Sequence, residues 1–478
     1  MYLGLDLGTS GLKALLIDED QNPIAEATAP LTVSRRHVGW SEQDPADWIS
    51  AAEHVLDKLA GTVDLSGVKG IGLSGHMHGA TMLDANDDVL WPCILWNDTR
   101  SSEQASAMDG DPIWRAISGN IVFPGFTAPK VQWMRETHPE VFNRISSVLL
   151  PKDYLRFWLT GEKMSEMSDA AGTSWLDTCS RDWSDTLLER SGLSREEMPG
   201  LVEGSQVSGT LRPSLAARWG FSGDVPVAGG AGDNAASALG MGVVKSGQAF
   251  VSLGTSGVLF AACDGFQPDP ETAVHTFCHA LPDMWHQMGV ILAATDALNW
   301  WANLVGSDPV SLTRELGALQ APGATAFLPY LGGERTPLNS ASVRGGFVGL
   351  DHATDRAAGT RAVLEGVAFA LADNRDALAA AGTTVESCVA VGGGSQSEYW
   401  LQVVATALNI PLDVPVGGDF GAAFGAARLG MIAATGDASI AVPPPIKTTV
   451  EPVSALSQAF QDAHARFREA ALHMMELS

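Results

Sequence analysis

The chain has 478 residues, 45% apolar and 18% charged, an ordinary globular balance with room for two large domains or about three smaller ones. Its 29 basic against 55 acidic residues leave a net charge of −26, which excludes a nucleic-acid partner whose phosphates need neutralising by Lys and Arg. A nucleotide is still allowed, because backbone amides and Mg2+ hold phosphates without a basic surface.

Five scattered cysteines (93, 179, 263, 278 and 388) make no disulfide framework and suggest a reducing compartment. "MYLGLDLG" opens directly as strand, without the charged and then apolar leader of a signal peptide. No apolar run nears the roughly 20 residues that cross a bilayer. These features lead us to expect a cytoplasmic protein with no membrane partner.

Alternation over 2–8, 12–18 and 24–32 predicts three strands in a meander, with turns at 8–11 and 19–23. Asp44 as N-cap and Pro45 at the first position start a helix whose apolar face is Trp48, Ile49, Ala52, Leu56 and Leu59. A strand over 67–75 enters the Gly-bounded loop "SGHMHG", and further strands are expected near 79–84 and 89–95. "GDVPVAGGAGDNAASALG" (223–240) reads as a strand, a Gly-rich loop and an Ala-rich helix.

At about 247 the pattern restarts. "QAFVSLGTSGVLFAAC" is again strand, turn and strand, followed by strands near 273–280 and 285–292 and a helix near 295–305. "VESCVAVGGG" runs a buried strand into three glycines, with a helix over 397–409 behind it. "IPLDVP" and a helix over about 419–433 form one more pair, and a final helix follows "PPPIKTTVEPVS". Two β-turn-β starts followed by alternating strands and helices indicate an α/β protein built by internal duplication, with a boundary near 243–247.

The peptide Leu-Gly-Thr-Ser-Gly stands at 7–11 and again at 253–257. As a single copy it is explained by hairpin-turn chemistry alone. Repeated at the matching place of the duplicate, it reads as two nests of backbone N–H groups suited to phosphate oxygens. Asp6 before the first copy can hold Mg2+ through water, and the neutral Ser252 before the second avoids crowding two carboxylates around the phosphates. Asp233 fits either a helix N-cap or a base beside a Gly-rich opening. Trp96, Asn97 and Asp98 end a strand as turn residues, or line a sugar pocket. In "HTFCH" (275–279) Cys278 and His279 are expected to be core or cleft wall, and Trp300 and Trp301 core.

The segments "WSEQDPADW", "GLSGHMHGATMLD", "ILWNDTR", "PGFTAPKVQWM", "LLPKDYLRFWLTG", "SDAAGTSWLD", "AGDNAASALG", "SLGTSG", "FCHALPDMWH", "FLPYLGGERTP", "TRAVLEGVAFALADN" and "GGGSQSEYW", with the opening strand pair, resemble the FGGY carbohydrate kinases in one register from residue 1 to about 435. The resemblance implies two actin-like (ribonuclease H-like) domains with ATP in an interdomain cleft. It implies an N-terminal domain over 1–244 with the sugar site and base, a C-terminal domain over 245–440 for ATP, and a linker and helix over 441–478.

By the same resemblance the reaction is ATP-dependent phosphorylation of D-xylulose to D-xylulose 5-phosphate. Asp233 is then the catalytic base, and Asp6 and Asp233 are the Mg2+ ligands. Met77, His78 and Asn234 contact the sugar together with Trp96, Asn97 and Asp98. Phosphates and nucleoside fall to Gly8, Thr9, Ser10, Gly11 and Lys13, to Gly254, Thr255, Ser256 and Gly257, and to Gly392, Gly393 and Gly394. Glycerol kinases carry Arg-Glu where this chain has Met77-His78, and relatives usually show Gln where His76 stands. Another ketose or polyol such as ribulose is therefore the alternative substrate, and a homodimer is left open. An actin-like nucleotide-driven binding protein is the competing class; it would need no sugar-shaped pocket.

Overall fold

Tyr2–Leu7 (β1), Gly11–Ile17 (β2) and Pro23–Pro30 (β3) form the expected meander in the computed structural model, which describes residues 1–416 and 420–477. β1 and β2 pair antiparallel from Tyr2↔Ile17 to Leu7↔Leu12, so the Gly8–Gly11 turn closes the hairpin with Gly8 N donating to Gly11 O at 3.0 Å. The helix Pro45–Ala60 begins as its cap dictates, with the Asp44 carboxylate accepting from Ala46 N at 2.9 Å. It buries Trp48, Ala52, Val55, Leu56 and Leu59 in the core that β1 and β2 share.

Gly70–Gly75 (β4) lies parallel beside β1, and Val207–Thr210 (β5), Pro226–Ala228 (β6) and the short Ala231–Gly232 (β7) follow. The sheet order is β3-β2-β1-β4-β6-β5, with β7 also pairing β4. Three antiparallel strands beside parallel ones make this sheet ribonuclease H-like.

The second sheet repeats the plan. Gln248–Leu253 (β8) and Gly257–Cys263 (β9) form the hairpin, and with Trp285–Ile291 (β10), Ser387–Val391 (β11), Leu412–Pro415 (β12) and Ile446–Val450 (β13) the order is β10-β9-β8-β11-β12-β13, with His275–Cys278 as the edge strand beside β10. β8 pairs β11 in parallel as β1 pairs β4, and the last strand of each sheet is antiparallel to its neighbour.

Two compact units result. One comprises Met1–Val244, Phe277–Trp285 and Asp419–Pro443; the other comprises Lys245–Thr276, His286–Gly418 and Pro444–Ser478. The helix expected over about 419–433 starts, as described, at Ala422 and ends at Thr435; position 419 lies outside the described residues. This helix packs backbone to backbone on the first sheet. A Cβ on Gly72 would stand 1.8 Å from Ala426 O, and one on Gly4 would stand 2.1 Å from Ala423 O, so only glycine fits at these strand positions.

The tail helix Ser457–Glu476 docks on the second unit, turning Phe460, Ala463, Phe467 and Ala471 inward. Phe460 and Phe467 meet Phe369 of the long helix Arg356–Ala380 at 6.1 and 5.7 Å. One expectation is corrected: Trp300 is not core but 37% exposed, stacked by one face on Phe327, while Trp301 donates to Thr360 Oγ1 at 3.0 Å. All five cysteines are free thiols, and His279 is buried with Nε2 3.1 Å from Val243 O. Among the described residues no helix is long and apolar enough to cross a membrane.

Candidate active site

Strand register brings the first unit's chemistry to one edge. Asp6 on β1 pairs with Ser74 on β4, and Ser74 pairs with Ala231 on β7. Gly75 pairs with Gly232 one step further on. At the usual strand spacing, Asp6 and Ala231 are about 10 Å apart across the carboxyl ends of parallel strands, where open α/β sheets bind ligands. Asp6 also sits opposite Lys13 in the β1–β2 hairpin, and Lys13 Nζ lies 2.9 Å from Glu26.

Asp233 follows β7 directly. The sequence left a choice between a cap and a base. Here Gly232 takes the cap position and Asp233 is the first residue of the helix Asp233–Gly240. Its Oδ1 accepts from Asn234 N at 2.7 Å and from Asn234 Nδ2 at 3.0 Å. Burial raises the carboxyl to about 6, against the pull of those two hydrogen bonds. A carboxylate of that basicity is ionised at neutral pH yet accepts a proton more readily than an exposed one.

The "GHMHG" loop leaves β4 next to this group. Met77 packs on Gly232, where a Cβ would come within 2.8 Å of Met77 Cγ. His78 takes the left-handed conformation (φ +71°), which strains a residue with a side chain, and its neighbours hold it there. Thr127 Oγ1 and Lys130 Nζ donate to His78 O at 3.1 and 2.8 Å, its Nδ1 lies 2.7 Å from Gly172 O, and its ring stacks on Phe126 at 4.5 Å. Lys130 is buried, and burial pulls its amine down to about 7. His76 stands two residues before His78 in the same loop. It is buried edge-on to Trp48 at 5.8 Å, and its burial, with Lys130 nearby, lowers it to about 3.

Trp96 is 48% exposed, and its indole N–H donates to Thr9 Oγ1 at 3.0 Å, joining the expected sugar segment to the first turn. Gln43 Nε2 holds Thr9 O at 2.8 Å from the other side. Asn97 is half-buried beside Trp96 in the chain. Asp98 is 1% exposed, with both oxygens engaged by Arg100 (2.9 and 2.7 Å) and by Ser41 N (2.6 Å). Arg100 in turn lies over the Trp40 ring at 3.6 Å and pairs with Glu42 at 2.8 Å. Asp98 could therefore touch a sugar only by giving up these partners.

In the second unit the 254–257 turn presents Thr255 and Ser256 exposed, as the first turn presents Ser10. It is braced from behind: Ala294 N donates to Thr255 O at 2.8 Å, and Thr295 N to Gly254 O at 2.9 Å. The three glycines converge on the same strand end. Gly392 has φ +89°, and a Cβ there would stand 2.7 Å from the carbonyl of Leu253; one on Gly394 would meet Leu253 Cβ at 2.8 Å. Gly393 has open space around it. The turn and the Gly-rich loop thus form one surface of bare backbone, which suits phosphate and ribose.

Sequence reasoning missed Thr127, Lys130 and Phe126, which fix His78, and Arg100 and Gln43, which fix the segments around Trp96. Their motifs, "PGFTAPKVQWM" and "ILWNDTR", stood among the resembling segments but carried no chemistry by spacing alone.

Comparison with known proteins gives a consistent result. The model for the N-terminal domain of the FGGY family of carbohydrate kinases matches residues 1–240, and that for its C-terminal domain matches 249–434. The xylulose kinase of Escherichia coli (strain K12) is 49% identical over 443 residues, covering 92% of this chain and 91% of its own. A crystal structure of a "xyloylose kinase" from Brucella ovis is 61% identical and covers 100% of both chains with a TM-score of 0.98. That of a xylulose kinase from Rhodospirillum rubrum is 27% identical, covers 100% of this chain and 99% of its own, and has a TM-score of 0.92.

Proposed function

Because the chain belongs to the FGGY family of carbohydrate kinases, we propose that it transfers the terminal phosphoryl group of ATP to D-xylulose, giving D-xylulose 5-phosphate. The observation that carries this reading is the packing of Met77 on Gly232, which sets the sugar loop against the residue before Asp233. The relatives named above act on xylulose and are nearly full-length matches, which supports the choice of sugar.

In the proposed step the ketose lies against Met77, His78, Asn234, Trp96 and Asn97, with Asp98 arranging that segment through Arg100. Asp233 takes the proton of the terminal hydroxyl as its oxygen bonds to phosphorus, and the bond from phosphorus to the bridging oxygen breaks to release ADP. The Gly8–Gly11 turn with Lys13 and the Gly254–Gly257 turn would hold phosphate oxygens, and Gly392–Gly394 the nucleoside. Carboxylates of Asp6 and Asp233, at strand ends with β4 between them, suit an Mg2+ held partly through water, since the ion takes one or two carboxylates besides waters and phosphates. Bound there, Mg2+ would screen the charge of the phosphates.

On this reading 1–244 carries sugar and base, 245–440 the nucleotide, and 441–478 a linker and a docking helix. The free thiols and the use of ATP fit the cytoplasm. The test is an ADP-release assay at fixed ATP and Mg2+ with D-xylulose, D-ribulose and glycerol. D-xylulose should give the highest kcat/KM. Equal rates with D-ribulose would remove the narrower assignment, and no acceleration by any of them would remove the sugar.

A further inference from the structure

Beneath the strand ends lies a set of charged side chains sealed from solvent. Lys152, Asp153 and Arg156 come from the helix Pro151–Thr160, Glu166 ends a short strand, and Ser168 and Asp169 follow it; all six are 0% exposed. Lys152 Nζ reaches Asp153 at 2.7 Å, Asp169 at 3.1 Å and Glu166 at 3.3 Å, and Arg156 Nη1 reaches Asp153 at 2.7 Å. Burial, reinforced by Asp153 and Glu166 and opposed by Lys152, pushes the Asp169 carboxyl up to about 8. Taking such groups out of water is costly, and well-packed apolar residues generally serve stability as well or better. The network therefore calls for a use other than stability.

Its contacts supply one. Arg156 Nη2 donates to Gly229 O. Ser168 Oγ accepts from Gly232 N at 3.1 Å while donating to Glu166, which the amides of Ser168 and Asp169 hold at 2.8 and 2.9 Å. The chain from Gly229 to Gly232 is thus pinned at both ends from below. It has no freedom to fill the space otherwise, since Gly230 is left-handed (φ +80°) and a Cβ on Gly229 would lie 2.4 Å from Glu203 O. Asp233 is the next residue. We propose that Arg156 and Ser168 are positioning residues for Asp233, fixing the carboxylate through the backbone that precedes it.

This inference rests on Asp233 being the base. Misplacing a reacting group by about 1 Å costs on the order of 10²-fold in rate. Ser168→Ala removes the acceptor for Gly232 N together with one donor to Glu166, which keeps the amides of Ser168 and Asp169. It should lower kcat about 10- to 100-fold, leave the KM for ATP within about 2-fold, and speed amide exchange at 232–234 while exchange elsewhere and the melting temperature hold. Arg156→Lys, which keeps the charge but not both contacts, should do the same. Wild-type kcat in Ser168→Ala overturns the proposal, and so does a loss of activity that only tracks the folded fraction. Asp233→Ala is run alongside: if it remains active, the assignment of the base has failed, whereas an inactive Asp233→Ala with a fully active Ser168→Ala removes the positioning role alone.

Discussion

Met77 rests on the α-carbon of Gly232, so close that a methyl group there would approach Met77 Cγ to 2.8 Å and Sδ to 2.9 Å. Gly232 has an ordinary helix-entry backbone (φ −59°, ψ 152°), so Gly232→Ala tests space and not strain. The methyl must push out either Met77 or the residue that precedes Asp233. We expect kcat/KM for D-xylulose to fall about 10²-fold with ATP binding little changed, as measured by steady-state kinetics and nucleotide titration. Unaltered kinetics would mean that this packing does not bear on the reaction.

Asp233→Ala keeps the helix start, because the cap belongs to Gly232 and not to the aspartate. Its expected effect is a fall in kcat of about 10² or more, the contribution of a general base, with the Kd for ATP nearly intact by calorimetry. A variant within a few-fold of wild type would place the proton acceptor elsewhere.

Gly392→Ala meets two obstacles at once, a left-handed backbone at φ +89° and the Leu253 carbonyl 2.7 Å away, whereas Gly393→Ala adds its methyl to open space. The first should raise the KM for ATP about 10-fold with the KM for sugar unchanged, and the second should do far less. If both variants bind ATP as the wild type does, this loop is not part of the nucleotide site.

His76 makes stability depend on pH. Its folded pKa of about 3 lies below the ordinary histidine value of 6.5, so its contribution is complete above 6.5 and erodes as acid protonates the unfolded chain first. The loss amounts to about 2 kcal/mol between pH 6.5 and 5. Urea midpoints of His76→Gln should fall less than those of the wild type over that interval, and equal slopes would assign the acid lability to other groups.

What could be read without coordinates follows a physical line. The repeated turns, the Asp44 cap and the two meanders are local, so neighbouring residues specify them. The helix Arg356–Ala380 went unassigned because it is buried over most of its length, Gly359 and Thr360 through to Leu378, which removes the one-sided apolar pattern that periodicity detects. The docking of the tail depended on Phe369, remote in sequence from Phe460 and Phe467. Around the candidate site, the glycine-rich setting marked Asp233 as a cap or a base, and Met77 entered only through the resemblance. Lys130, Lys152 and Arg156 gave no such sign, because long charged side chains are almost always solvated and only the fold reveals that these are enclosed. Trp300 failed in the opposite direction, an aromatic left at the surface.

The helix Ala422–Thr435 covers the sheet of Gly4 and Gly72, although the other unit's Lys245–Thr276 and His286–Gly418 are made in between. A ribosome adding about 5–20 residues each second takes roughly 10–40 s over that stretch. For that time the nascent first unit carries a bare apolar sheet face. It invites chaperones or premature association, and any chain cut short before Thr435 keeps that exposure permanently.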